Sequence, residues 1–400
     1  MQDDCITIAL GLREVRVLRE EETAEEITVE VMYRAQSAPC PRCRQRSPKV
    51  HSTRLQRKRD RRVRDKPVFL LLHKRRFRCV ACKKVFSEPD ALFGARRRSS
   101  QRFREHLGQE AIHQTVRHVA RKEGVGEALV RRCVTEEAQR LLQVPKQSSS
   151  ARILGLDEFS IKKGQVYDTA IMDIERKEVL GVVSGHRQAE VAVFFSALPK
   201  AEDVEVVVMD MHEPFRQAVE LCLPNAKVVV DKFHVLMHVH RALDQVRTSL
   251  QSQRGKKGEL FRSRFLLLTG VERLTPERSA RLMDVLARYP LLQRAWALKE
   301  GFRAWYQAAT RAEGERGLTA WEAAVREQGP GPFRALFPML RDWRQEILNY
   351  FDHRYTNGFV EGKNNRIKVI KRTAYGYRNN HNFRQRILLT NYKEAYPKAA

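Results

Sequence analysis

No stretch of the 400-residue chain approaches the ~18 consecutive apolar residues of a membrane span. The opening residues, Met-Gln-Asp-Asp-Cys, have neither the basic flank nor the apolar segment of a secretory leader. A membrane partner is therefore not expected, and a reducing, cytoplasmic location is. Cysteine is scarce, with seven residues. In a reducing compartment so few thiols serve as metal ligands or remain free, and disulfides are not expected. Acid is short as well: 48 Asp and Glu stand against 75 Lys and Arg, for a net charge of +27. That excess makes a polyanion the natural partner.

The charge is uneven. Residues 51–100 carry 17 Lys and Arg against 4 Asp and Glu. This run lies between two Cys-x-x-Cys pairs, Cys40-Pro-Arg-Cys43 and Cys79-Val-Ala-Cys82. Four thiolates at that spacing make the ligand set of one structural, tetrahedral Zn²⁺. His51 and His73 in the spacer read as ordinary fold or surface histidines, and Cys5, Cys133 and Cys222 as small buried hydrophobes. Arg54, Arg57, Lys58, Arg59, Arg61, Arg62 and Arg64 precede an apolar strand at Val68–Leu72, and Lys74, Arg75 and Arg76 follow it. Such density beside a metal-stapled scaffold points to DNA phosphate. Upstream, β-branched alternation at Ile6, Ile8, Leu10, Ile27, Val29 and Val31 predicts strands around the acidic turn at 20–26.

Residues 99–143 read as helices. Within them Val116–Arg132 fits a helix-turn-helix, with small Ala120 at the crossing, Gly124 in the turn and Val130 six residues on. The second helix would present Arg131 and Arg132 to DNA. Pro145 and the Gln147–Ser150 run predict a linker.

After that linker three apolar runs end in acid: Ile153–Leu156 at Asp157 and Glu158, Val206–Met209 at Asp210, and Val228–Val230 at Asp231. Runs of this kind read as strands buried on both faces. A carboxylate after such a strand lies where open α/β sheets bind ligands. Clustered carboxylates repel and call for cations between them, and oxygen-only ligands favour Mg²⁺ or Mn²⁺. With strands at 165–174 and 178–185 and helices between the later strands, the order is β-β-β-α-β-α-β-α, that of an RNase H-like core. In that fold the first and fourth strands are parallel neighbours, so Asp157 lies beside Asp210, and Asp231 one strand further out is the weaker candidate. From 251 to 345 the chain turns helical, Arg-rich and Pro-punctuated, and reads as an insertion whose tryptophans pack its own core. Finally, Glu361, Asn365, Lys368 and Arg372 follow at spacings of 4, 3 and 4, on one helical face. A carboxylate, an amide and two cations suit a metal-phosphate site.

These segments resemble the bacterial insertion-sequence transposases of the ISL-three family. The resemblance rests on Cys40-Pro-Arg-Cys43, the Arg75–Phe86 stretch, Gly155-Leu-Asp157-Glu, Met209-Asp210-Met, Asp231-Lys-Phe-His234 and Asn357-Gly-x-x-Glu361-Gly-x-Asn-Asn-x-Ile-Lys. It covers nearly the whole chain, most weakly in the first 35 residues and the insertion. It implies a DDE transposase with Asp157, Asp210 and Glu361 as the catalytic triad, two Mg²⁺ or Mn²⁺ per active site and one structural Zn²⁺. It also implies double-stranded DNA partners (terminal inverted repeats and target), a homodimer or larger assembly on DNA, and a bacterial, nucleoid-associated location. The organisation expected is multidomain, mixed α+β and α/β. A zinc-binding β domain spans 1–95 and a helix-turn-helix 96–145. An RNase H-like core follows at 151–250 and 346–400, interrupted by an α-helical insertion at 251–345. A structure-specific nuclease, or a non-catalytic DNA-binding regulator with the same zinc and helix modules, is the alternative.

Overall fold

The computed structural model describes residues 12–90, 92–94, 97–142, 150–162, 164–252, 258–374, 377 and 379–391. Cys5, the expected strand residues Ile6, Ile8 and Leu10, and the linker at 145–149 lie outside them. The chain divides into two compact units, Met1–Val144 and Pro145–Ala400.

In the first unit β1 (Val15–Glu22) and β2 (Ile27–Tyr33) form a hairpin, followed by the two-residue strands β3 (Ala38–Pro39) and β4 (Arg46–Ser47). Then β5 (Val50–Val63) and β6 (Lys66–Arg78) make a long hairpin, and β7 (Val85–Ser87) pairs with β6. The main sheet runs β1-β2-β6-β5, with β2 and β6 parallel. Its core is the alternating set Val29, Val31, Val68, Leu70 and Leu72, all fully buried. The basic run is thus itself a strand, which sequence patterning did not reveal. Arg64 and Asp65 make the two-residue turn, both at positive φ, a backbone whose twist suits a tight hairpin.

Three helices complete this unit: α1 (Gln101–His113), α2 (Val116–Glu123) and α3 (Glu127–Leu142). Ser100 and Thr115 cap the first two by accepting from the N–H of Phe103 and His118. Left-handed Gly124 ends α2. Phe103, Leu107, Ala111, Val119, Ala120, Val130 and Cys133 form their core. The helices lean on β5 through polar contacts. Fully buried Asp60 accepts from Ser100 Oγ (2.6 Å) and Arg102 Nε (2.8 Å), and Arg59 donates to the Glu123 carbonyl (3.0 Å).

The second unit is built on a five-stranded sheet, β10 (Glu178–Ser184), β9 (Val166–Asp173), β8 (Ile153–Lys162), β11 (Val206–Met209) and β12 (Lys227–Val230), in that spatial order. The first three are antiparallel, whereas β8, β11 and β12 are parallel. Helices α4 (Gln188–Ser196), α5 (Glu213–Cys222) and α6 (Lys232–Ser252) supply the connections around the short parallel strands. Further helices follow, chiefly α7 (Pro276–Arg288), α8 (Pro290–Trp305) and α9 (Arg311–Gln328). One buried cluster runs from Val206–Met209 of the sheet into Phe302, Trp305, Trp321 and Trp343 of this helical stretch. Trp305 and Trp321 spend their indole N–H groups on the carbonyls of Gly314 and Leu298, so these rings are core and not base-stacking platforms. The other face of the sheet is covered by α10 (Gly358–Thr373) and α11 (Asn380–Thr390), through Phe159, Ala170, Met172, Val360, Ile367, Phe383 and Ile387.

Two details set the approach of α10 to β8. The strand does not end at its acids, as sequence suggested, but runs on to Lys162 against β9 while its pairing with β11 stops at Gly155. A Cβ on Gly155 would lie 2.5 Å from Val360 Cγ2 and 3.0 Å from Asn357 Oδ1. Glycine there is a condition for seating α10 on β8. Gly155→Ala should lower stability by about 1–3 kcal/mol, read by denaturant unfolding, because it lifts α10 from β8.

Candidate active site

The register of the parallel strands places the acids. Val206, Val207 and Val208 pair with Ile153, Leu154 and Gly155, and Met209 pairs with Val230. Continued by two residues and one residue respectively, this register sets Asp157, Asp210 and Asp231 abreast, strands about 4.8 Å apart. Burial pushes the Asp157 carboxyl up to about 6, with the Asp210 charge beside it adding to the rise and the N–H of Asn364 opposing it. Asn364, buried on α10, donates to Asp157 Oδ2 at 2.7 Å.

His234 Nδ1 lies 2.7 Å from Asp210 Oδ1 and 3.2 Å from Asp231 Oδ2. Burial works against a charge on this ring, but the two carboxylates outweigh it and raise its pKa to about 10. The Asp210 contact is the shorter of the two, an ion pair to a half-buried carboxylate. Asp231, by contrast, is buried and accepts from both His234 and the backbone N–H of Asn357 (3.3 Å). The Asn357 amide in turn donates to the Leu156 carbonyl at 2.8 Å.

Glu361 lies between these anchors. Asn357, Glu361 and Asn364 follow at i, i+4 and i+7, and residues so spaced share a helical face. The two asparagines hold that face against β8, and the Glu361 carboxylate stands exposed on its flank. Lys368 and Arg372 are exposed further along α10, where Lys371 binds the Ser160 carbonyl. The sequence reading singled out Asn365; the amide that meets the acid is its neighbour Asn364. Asn357, Asn364 and His234 were missed as site residues, although all three fall within the quoted motifs. The oxygen donors present, one acid whose pKa is raised by burial and by a neighbouring like charge and a second acid beside it, fit a divalent cation.

In the first unit the four thiols converge. Cys40 Sγ is 3.6 Å from Cys82 Sγ and Cys43 Sγ 3.4 Å from Cys79 Sγ, and all four sulfurs lie within 4.8 Å of one another. Both knuckles have one geometry. Cys40 and Cys79 each donate an N–H to the carbonyl five residues on, and Arg44 and Lys83 take the same left-handed conformation. The N–H of Cys43 is the chief influence holding the Cys40 thiol down, at about 6, and that of Cys82 likewise lowers Cys79. Cys43, beside the Cys79 sulfur, is instead raised to about 11, so in the metal-free cluster Cys40 and Cys79 are the thiols that favour the thiolate a metal needs. His73 pairs instead with Glu30, and His51 is exposed.

The basic residues divide sharply. Lys58 is buried and donates to the Arg97 carbonyl; Arg75 is buried in a two-pronged pair with Glu88 and binds the carbonyls of Tyr33 and Ala35. Neither is placed to meet phosphate, contrary to expectation, because these heads satisfy buried acceptors. Arg59 and Arg62 cap carbonyls at the end of α2. Arg57 stacks on Phe69 and pairs with Glu26, leaving its head at the surface. Arg61, Arg64, Arg131 and Arg132 are exposed, and Arg76 is half-buried.

Residues 154–387 match the ISL3-type DDE family, described as transposase, and residues 36–82 match the zinc-finger of the transposases of IS204, IS1001, IS1096 and IS1165. The chain is 29% identical over 383 residues to the transposase for insertion sequence element IS1001 of Bordetella parapertussis, with 92% of each chain covered. It is 27% identical over 257 residues to the transposase for insertion sequence element IS1557 of Mycobacterium tuberculosis, with 58% of each covered. This chain belongs to the ISL3 family of DDE transposases. It is an insertion-sequence transposase, a DNA-cleaving and strand-transfer enzyme with a four-cysteine zinc ribbon.

Two outcomes follow from the electrostatics. The Asp157 pKa is raised from 3.8 to about 6 in the folded chain. The folded state therefore holds the proton more tightly, and stability falls as pH rises from about 4 through about 6. In metal-free buffer at pH 7.5, Asp157→Asn should stabilise the protein by on the order of 1 kcal/mol. The gain should vanish near pH 4, as denaturant unfolding would show. Cys79→Ser should lose the thiol-held zinc, measured as metal released by a thiol-reactive mercurial, and loosen the first unit.

Proposed function

We propose that the second unit is an RNase H-like core in which Asp157, Asp210 and Glu361 hold two Mg²⁺ or Mn²⁺ ions. The observation that carries this is the register that sets Asp157 and Asp210 abreast, with Asn364 reaching across from the helix of Glu361. Bound divalent ions supply Lewis-acid activation of the attacking oxygen and relieve charge on the departing one. The chain's own residues do the rest. Asn364 fixes one Asp157 oxygen and so aims the other. His234 spans Asp210 and Asp231 and keeps both acids in place. Asp231, already committed to His234 and Asn357, is a positioning residue. Lys368 and Arg372 rise along α10 by about 10 and 16 Å from Glu361, too far for both to neutralise it, and follow the phosphates flanking the scissile bond.

The helix pair α2–α3 is assigned as a helix-turn-helix that reads the transposon end with Arg131 and Arg132. Arg57, Arg61, Arg64 and Arg76 add phosphate contacts. Water attack then cuts the end, and the freed 3′-hydroxyl attacks target DNA, with the protein at least a dimer on DNA.

Labelled terminal inverted-repeat DNA with Mg²⁺ separates this reading from a nuclease, which cuts without joining, and from a regulator, which does neither. Asp157→Asn, Asp210→Asn and Glu361→Gln should each abolish cut and joined products while end binding persists. Asp231→Asn should lower activity less than Asp210→Asn. Lys368→Ala and Arg372→Ala should each slow strand transfer on pre-cut ends about tenfold, about 1.4 kcal/mol. Wild-type rates in both would remove the phosphate-tracking role.

A further inference from the structure

Alternation along β8 turns Glu158 to the face opposite Asp157. Gly155 backs onto Val360 and Asn357 of α10, whereas Leu154 and Leu156 join the larger core on the other side. There Glu158 meets His186, just past β10, and His212, at the start of α5. His186 Nδ1 is 3.2 Å from Glu158 Oε2, and His212 Nε2 is 3.3 Å from Glu158 Oε1. The three donor atoms all lie within 4.8 Å of one another.

We propose that Glu158, His186 and His212 bind one divalent transition-metal ion, zinc foremost, at a site separate from the catalytic acids and from the cysteine cluster. Two ligands held about 2.0–2.1 Å from a tetrahedral zinc lie about 3.3–3.4 Å apart, close to both observed separations. Two imidazoles and one carboxylate suit zinc and its neighbours, whereas Mg²⁺ and Ca²⁺ prefer oxygen alone.

Each ligand is independently held. Glu158 lies inside the β8–β9 ladder, paired with Thr169. Gly185, at φ 97°, turns the chain into His186; its carbonyl accepts from Thr169 Oγ1 at 2.7 Å, and the His186 ring stacks on Tyr167. The His212 N–H donates to the Asp210 carbonyl at 2.8 Å, and its ring packs edge-on to Phe215. Preset ligands reduce the ordering cost of binding. All three side chains remain partly exposed, at 26%, 40% and 29%, which leaves a fourth position for water or a nucleic-acid phosphate oxygen. An ion here ties the middle of β8 to the turns that follow β10 and β11, and fixes the turn that carries Asp210.

A plain hydrogen-bond network, Glu158 accepting from two imidazoles, accounts for the same distances, and the test separates the two. Full-length protein with its cysteine site already zinc-loaded is titrated calorimetrically with Zn²⁺ in excess Mg²⁺. The proposal expects one further ion per chain. His186→Ala and His212→Ala should each weaken it at least tenfold, and Asp157→Asn should not. Zinc should raise the melting temperature of the wild type but not of Glu158→Gln, which keeps the side chain's shape, so that loss of the ion there reports a lost ligand. Absence of a further ion, its persistence in a His186→Ala/His212→Ala double variant, or its loss in Asp157→Asn overturns the proposal.

Discussion

Two half-buried carboxylates set side by side are the constraint around which the second unit is arranged. Asp157 and Asp210 end up abreast because β8 and β11 are parallel and in fixed register. Burial raises the Asp157 pKa, and the Asp210 charge beside it adds to the rise. The surroundings temper that repulsion without removing it. Asn364 donates to one acid, the charged ring of His234 sits against the other, and Asn357 secures the helix that brings Asn364 in. A site left under electrostatic tension is one that a divalent cation relieves, and folding stability is given up to keep it so.

The zinc ribbon solves a different problem. Its sheet buries a modest strip of Val and Leu, while one strand, β5, carries six Lys and Arg between residues 54 and 62. A strand so charged gains little from apolar burial. It is held by cross-strand pairing with β6, by buried Asp60 and by the thiol cluster. Part of that charge then turns inward to satisfy carbonyls, and the remainder stays at the surface.

Much of this was legible in the sequence because burial on both faces writes itself as Val-Val-Val runs, and the acids follow those runs directly. The cysteine spacing was equally plain. What escaped reading depends on contacts between distant residues. Asn364 and Asn357 touch β8 across some two hundred positions, and no local pattern distinguishes Asn364 from exposed Asn365. The β5 strand escaped because its alternation is of charged residues, without an apolar face to betray it. Lys58 and Arg75 look in sequence like their neighbours, and only the fold shows them buried. His186 belongs to no motif, and it acquires a partner only because the turn after β10 reaches across β9 to Glu158 in the middle of β8.

The distance in sequence between Asp157 and its helper has a consequence for timing. The contact that seats α10 on β8 joins residues 207 positions apart, whereas the first unit is complete by residue 144. Synthesis proceeds at about 5–20 residues per second, with N-terminal units folding first. The unit carrying the zinc ribbon is therefore formed while the acid site still lacks its Glu361 helix. A chain stopped before residue 358 has the ribbon and its helices but not the helix that the proposed acid site requires, so on that proposal the order of translation itself delays cutting.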